Sequence, residues 1–264
     1  VLIQAGEPGK YLIEAVAIDA DDLIGRAVAT LKVRDPDDDG APQVGFADEV
    51  EFSVVDDLTD ICGTVFDESL DNWQLEIASH GVDAFTVLAT GGSLAHDDVL
   101  AQIDPSILPN GLYRLRLSAW DMARRKSSAE TSIEVNSSSK SGAYYRDETD
   151  LSIDLDGVTV EVHRVYRSLL RDRPGTFGYG WSLPGRNMDV QINLVGTGYE
   201  QSGLYGALRE GTRLYLTLPS GQHAGFTFTP SSIQNLGVTL YRPAWQPDPG
   251  VAYTLDSVDA VLQK

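Results

Sequence analysis

Gly111-Leu112-Tyr113-Arg114-Leu115-Arg116-Leu117 alternates apolar and polar side chains with a period of two, the spacing that turns one face of an extended strand toward a core. The stretch has a counterpart earlier in the chain. Gly9, Tyr11, Ala17, Asp19, Ala27 and Val33 recur at Gly111, Tyr113, Ala119, Asp121, Ala129 and Val135, an offset of 102 with no gap across 25 aligned residues. In each copy a turn with Gly leads into a Tyr-headed alternating strand, an Asp-containing loop and a second strand ending in Val. A repeat of that length closing in a two-strand hairpin implies immunoglobulin-like or fibronectin-like sandwiches.

Working outward, residues 43–136 hold one complete module. Residues 1–35 read as the C-terminal part of another, with its front strands upstream. An acidic linker, 36–42, separates them, and a Ser-rich stretch, 137–142, reads as a flexible tether to residues 143–264. That last part is also β-patterned, with alternation running from Leu155 to Val165. Turn signals at Pro109-Asn110-Gly111, Pro174-Gly175 and Pro219-Ser220-Gly221 recur at sandwich or barrel spacing. Few segments compete as helices; the best is Asp97 to Ile103, where Val99, Leu100 and Ile103 would make one turn's apolar stripe, confined by Pro105 and Pro109. The fold class expected is all-β.

The composition narrows the function classes. With 20 Lys and Arg against 39 Asp and Glu in 264 residues, the net charge of −19 repels polyanions, so nucleic acid is not an expected partner. A chain that is 42% hydrophobic and 22% charged is globular rather than disordered. No run approaches the roughly 18 apolar residues of a membrane-spanning helix, and no basic, hydrophobic leader opens the chain. A start at Val1 reads as a fragment of something longer. Cys62 is the only cysteine, which excludes an internal disulfide or a multi-thiolate metal site, and it reads as a small buried apolar residue. His80, His96, His163 and His223 lack metal-ligand spacing. There is no Gly-x-Ser-x-Gly, no His-Glu-x-x-His and no phosphate-binding Gly loop, so no enzyme is expected.

The acids are concentrated. From Asp35 to Tyr113 there are 18 acidic residues and no Lys or Arg, whereas 143–264 carries 13 acids against 10 bases. Closely spaced oxygen donors suit calcium, which replaces its water shell with six to eight oxygens, and Asp35, Asp37, Asp38 and Asp39 are the candidate ligands. The same stretch resembles the inter-repeat linker of cadherins, Asp-x-Asn-Asp-Asn-x-Pro, with Gly40 inserted before Ala41-Pro42; that resemblance implies calcium between modules. A merely solvated acidic surface is the alternative. Asp19 and Asp21 read as turn residues.

Residues 143–264 carry a further resemblance. Asp147-Glu148-Thr149-Asp150-Leu151-Ser152-Ile153 is followed by Arg164-Val165-Tyr166-Arg167-Ser168 and by Phe177-Gly178-Tyr179-Gly180-Trp181. This order resembles the start of the β-shell in Rhs/YD-repeat proteins, and Leu216 to Phe228 resembles that family's hairpin, a turn with Gly before a Phe-x-Phe strand. The segments Leu70 to Ile77 and Leu108 to Tyr113 resemble sandwiches that precede such shells in large bacterial proteins. The resemblance implies immunoglobulin-like sandwiches leading into an antiparallel shell, a secreted or cell-surface location, and a structural role enclosing or presenting a toxin-like C-terminal region. The implied partners are the rest of the polypeptide and a cell-surface protein or glycan. Other readings are a calcium-stiffened adhesion array and a carbohydrate-binding accessory module with Trp181, Trp245 and nearby Tyr residues as its platform. Phe177, Tyr179 and Trp181 read first as packing residues, and Arg164, Arg167, Arg171 and Arg173 as solvated charges.

Overall fold

The computed structural model describes residues 6–137, 139–184, 186, 189–194, 197–204, 206–218, 223–235, 238–256 and 262–263. β1 (Gly9–Ile18) and β2 (Ile24–Val33) form a hairpin that stands as its own two-stranded sheet. There follow β3 (Gln43–Phe46), β4 (Val54–Val55), β5 (Thr59–Phe66), β6 (Leu70–Ser79), β7 (Thr86–Gly91), β8 (Ala95–Ile103), β9 (Gly111–Asp121) and β10 (Lys126–Val135). These build two sheets, β3-β5-β8 and β4-β10-β9-β6-β7, antiparallel except for the short parallel pairing of β4 with β10. Alternate residues of both sheets, among them Ile61, Val65, Leu75, Leu115, Leu117, Ile133 and Val135, make one contiguous buried core. Residues 43–136 are therefore a β-sandwich.

The internal repeat extends to atomic detail. Gly9 pairs with Val33 as Gly111 pairs with Val135, and Ile18 with Ile24 as Trp120 with Lys126. Tyr11 Oη donates to the carbonyl of Glu7 (2.6 Å) as Tyr113 Oη donates to that of Pro109 (2.8 Å). Asp19 Oδ1 accepts from the Leu23 N–H (2.9 Å), and Asp121 Oδ1 from the Arg125 N–H (2.8 Å). Asp22 and Arg124, three residues past those aspartates, both take positive φ, 61° and 70°. Local hydrogen-bonding chemistry thus repeats together with the apolar pattern.

The helix expected at 97–103 is instead strand. Leu100 is an extra residue in β8, because Cys62 of β5 pairs with Val99 and Ile61 with Ala101. This bulge brings Leu100 onto the buried side with Ile103, and so produces the i, i+3 spacing of a helix inside an extended chain. Among the described residues helical turns are only 3₁₀, at Pro105–Ile107, Ser168–Leu170 and Glu200–Ser202.

Beyond the sandwich come β11 (Tyr145–Leu155), β12 (Val158–Arg167), β13 (Pro174–Gly175), β14 (Gly178–Tyr179), β15 (Trp181–Ser182), β16 (Val190–Ile192), β17 (Arg213–Thr217), β18 (His223–Phe228), β19 (Ser231–Asn235), β20 (Val238–Arg242), β21 (Trp245–Pro247) and β22 (Leu262–Gln263). They form sheets β11-β12-β15, β13-β14, β16-β17-β18-β21 and β19-β20-β22. Phe226 and Phe228 of the Phe-x-Phe strand are buried. The Pro219-Ser220-Gly221 turn and Ser138 lie outside the described residues.

The alternation from Leu155 is interrupted by a tight turn. Asp156 and Gly157 both take positive φ, 50° and 80°, the two-residue geometry whose twist suits a hairpin, and the Asp-Gly pair is the sequence signal for it. No helix among the described residues is long and apolar enough to cross a membrane.

Candidate functional site

The acidic linker is divided by the fold. Asp35 Oδ1 accepts from the Asp37 N–H (2.9 Å) and Asp38 Oδ1 from the Gly40 N–H (3.1 Å), so both shape their own turns. Asp37 and Asp39 are exposed. Asp38 alone reaches a carboxylate group, meeting Asp67 just after β5 and Asp121 at the end of β9, with one oxygen from each within 4.8 Å of the others. Asp67 and Asp121, both buried, were not among the expected ligands.

Arg125 already supplies positive charge there. Its Nε donates to Asp121 Oδ2 (2.5 Å) and its Nη2 lies 3.1 Å from Asp38 Oδ2. A hydrogen bond from the Ser69 hydroxyl, aided by Arg125, holds the Asp38 carboxyl below the ordinary carboxylate range. Burial pushes the Asp67 carboxyl up, against the hydrogen bond it accepts from the Ser69 N–H (2.7 Å). The chemistry on view ties the linker to the sandwich through Arg125. Of the four expected ligands, a cation at this place would draw only on Asp38.

In the Ser-rich stretch, Ser137 and Lys140 bond back to the sandwich. Asn110 Nδ2 donates to the Ser137 carbonyl and Asn110 Oδ1 accepts from the Ser137 N–H, both at 3.1 Å. Lys140 Nζ donates to the carbonyls of Pro105 (2.7 Å) and Leu108 (2.8 Å), and burial brings its pKa down to about 8. An open hollow of about 710 Å³ beside this stretch is lined by Asp56, Asp57, Asp104, Ser106, Ser137 and Ser139. Asp57 and Asp104 cap their own turns there, at Leu58 and Ser106.

The most heavily bonded site joins the sandwich to the sheet that follows. Arg213 on β17 meets Asp248 through two near-parallel bonds, Nη1 to Oδ1 (2.7 Å) and Nη2 to Oδ2 (2.6 Å). Its Nε and Nη2 donate to Glu134 of β10 at 2.9–3.2 Å, and Nη1 also donates to Thr227 Oγ1 (2.6 Å). Tyr215 Oη donates to Glu134 Oε1 (2.7 Å). Burial works against the Arg213 charge, but the hydrogen bonds to Asp248 and Glu134 outweigh it and raise its pKa further. Burial, then the Glu134 charge, pushes the Tyr215 phenol far above its usual value. Gly225 on β18 leaves the needed space, since a Cβ there would overlap Asp248 Oδ2.

Beside this clamp, Gln191 Oε1 on β16 accepts from the Leu112 N–H (2.8 Å), and Arg173 reaches Ser79 and lies 3.3 Å from Asp189. No single short motif announced these residues. Glu134 and Arg213 are 79 positions apart, and each alone reads as a surface charge.

The remaining predicted residues separate. Arg164 stacks on Trp181 and pairs with Asp150, Arg167 stacks on Tyr145, and Arg171 pairs with Asp172. Trp181 packs on Tyr166 with centroids 5.3 Å apart, whereas Trp245 packs on buried Phe228 in a different sheet. Phe177 and Tyr179 are exposed. Gly180, at φ 72°, fits where a Cβ would lie 2.7 Å from Tyr166 Cε2, consistent with packing around Trp181. Cys62 is half-buried against the core, with its thiol pKa raised by burial and by neighbouring carboxylates.

The β11–β12 hairpin presents a contrasting surface. A bulge between Thr149 and Leu151 resets the register so that Leu151 faces Val162, Ile153 faces Val160 and Leu155 faces Val158. Cross-strand partners lie on one side of a sheet, so these six apolar residues share a face, and Ser152, Asp154, Thr159 and Glu161 share the other. Five of the six are 43–64% exposed and Val162 is half-buried. The edge of β11 is free, since β12 is its only described partner.

Among known proteins, the family model described as "Domain of unknown function (DUF6531)" matches residues 138–197, the span containing this hairpin and the Trp181 turn. No curated protein matches the chain. A solved structure of protocadherin gamma B7, extracellular cadherin domains 1–4, is similar at 11% identity over 91% of this chain and 57% of that one. Its TM-score of 0.19 carries no argument about fold or function.

Proposed function

We propose that this chain is a non-catalytic structural segment of a large secreted or surface-exposed Rhs/YD-repeat protein. In this reading the sandwich is a footing fastened to the first strands of a β-shell, and the shell encloses or presents a toxin-like C-terminal region. The partner of the segment is the rest of its own polypeptide.

The observation that carries the reading is the uncovered apolar face of β11–β12 together with its free edge. An amphipathic hairpin with six apolar residues on one side gains free energy only when another layer covers it, about 1.5–3 kcal/mol for each such side chain taken from exposed to buried. A strand edge without a partner is a template for the next strand. A shell that grows strand by strand supplies both. The clamp at Arg213 supports the same reading, because it fixes the direction in which the sheet leaves the sandwich.

The test compares residues 1–264 with a chain carried on through the natural residues after Lys264, by hydrogen exchange. The amides of 151–162 are expected to exchange rapidly in the first and slowly in the second, and Leu151→Asp with Val160→Asp is expected to abolish the slowing. Equal, rapid exchange of the hairpin in both chains overturns the reading.

A further inference from the structure

The β1–β2 hairpin repeats β9–β10 in register, in its Tyr–carbonyl bond and in its Asp-closed loop, yet its surroundings differ. In the sandwich, Tyr113, Leu115, Leu117 and Ala119 of β9 face the core and are at most 5% exposed. They are covered by the β3-β5-β8 sheet, while β6 pairs along the edge of β9 and β4 along that of β10. The equivalent residues, Tyr11, Ile13, Ala15 and Ala17, meet no such layer among the described residues; Tyr11 is 40% exposed, Ala15 and Ala17 are exposed and Ile13 is half-buried. β1 and β2 pair only with each other among the described residues.

The other face of the hairpin is already used at its base. Lys10 and Lys32, cross-strand partners, both bond Asp71 at the start of β6, Lys32 Nζ at 2.5 Å from Oδ2. This contact seats the hairpin on the neighbouring sandwich by its outer side. The face that corresponds to a core points elsewhere.

We infer that β1–β2 is the closing hairpin of a second sandwich of the 43–136 kind, and that its open face and two free edges dock that module's front strands, contributed by the same polypeptide ahead of residue 1. The strands equivalent to β6 and β4 add to the edges of β1 and β2, and a sheet equivalent to β3-β5-β8 covers Tyr11, Ile13, Ala15 and Ala17. The occupant is identified by the internal copy, which displays in this same chain what such a hairpin packs against. The inference is independent of the shell reading, because it concerns a different hairpin and different flanking residues.

Exposure alone would choose the wrong face. Leu12 is 74% exposed against 40% for Tyr11, but its counterpart in the complete module is Arg114, a half-buried residue of the outer face ion-paired to Asp83. The counterpart of Ile13 is Leu115, which is fully buried. The two positions therefore give opposite expectations.

The experiment uses residues 1–264 and the same chain extended by about 100 of its natural preceding residues, the length of one module, each with Ile13→Asp, Leu12→Asp or Ile13→Leu. In the extended protein the β1 amides are expected to exchange on the order of a hundredfold or more slower than in 1–264. Ile13→Asp removes that slowing, since it places an unpaired charge in a core. Leu12→Asp and Ile13→Leu retain it. In 1–264 all three variants melt as the parent does. Unchanged exchange in the extended chain overturns the inference, as does a disruption by Leu12→Asp rather than Ile13→Asp. Concentration-dependent protection of β1 in 1–264 alone also overturns it, by making a second copy the occupant.

Discussion

Arg213 shows how one residue can hold two sheets together. Its side chain is 13% exposed and donates to Glu134, Asp248 and Thr227. Arg213→Met would leave two carboxylates, themselves 12–15% exposed, without their cation. Breaking a fully buried pair costs about 3–5 kcal/mol, and residual solvent screening places this substitution near the low end, about 3 kcal/mol, read as a lower denaturation midpoint. His223 makes a second residue-scale prediction. Burial lowers its pKa to about 4, with Asp189 raising it and Arg173 lowering it in turn. The unfolded imidazole takes up its proton near pH 6.5 while the folded one stays neutral, so stability falls as pH drops from 6.5 toward 4, by up to about 3 kcal/mol. Denaturation midpoints at pH 7 and pH 5 should differ, and His223→Gln should shrink the difference. Neither residue stood out in the sequence, because a lone Arg and a lone His acquire a role only from what folds against them.

Bulges decided which way two of the strands face. In β8 the extra Leu100 imitates helical spacing, and in β11 the irregularity at Thr149/Leu151 gathers six apolar residues on one side. A one-residue shift moves every later side chain to the opposite face, so a pattern reader sees an ambiguous period where the sheet has a single insertion. The hairpins with tight, chemically explicit turns were more legible. The Asp-bearing loops at Asp19 and Asp121 close through the same side-chain bond to a backbone N–H four residues on. The acidic linker lies between these cases: Asp38 was legible as a candidate, while its companions Asp67 and Asp121 come from strand ends that meet it only in the folded sandwich.

The whole molecule is a core-bearing sandwich with a bare hairpin at one end and a clamped sheet at the other. Among the described residues the contiguous core lies within residues 47–135, whereas the later sheets bury few large side chains, Tyr215, Phe226 and Phe228 among them. Isolated 36–136, which keeps Asp38 with its partners, is therefore expected to be a monomer with one cooperative melt. Isolated 143–264, deprived of Glu134 and Leu112, is expected to self-associate on a size-exclusion column; a clean monomer with a cooperative melt from that segment would contradict this. Alternation, the Gly- and Asp-bearing turns and the repeat at an offset of 102 made an all-β chain and its twice-used hairpin legible, because a hairpin depends on interactions within about 25 residues. Tertiary structure alone decided that Asp38 leaves Asp37 and Asp39 for Asp67 and Asp121, that Arg213 seeks Glu134, and that Ser137 and Lys140 bond back to the sandwich. Those pairings depend on how sheets distant in sequence are oriented, and the desolvation that makes them matter exists only once the sheets have met.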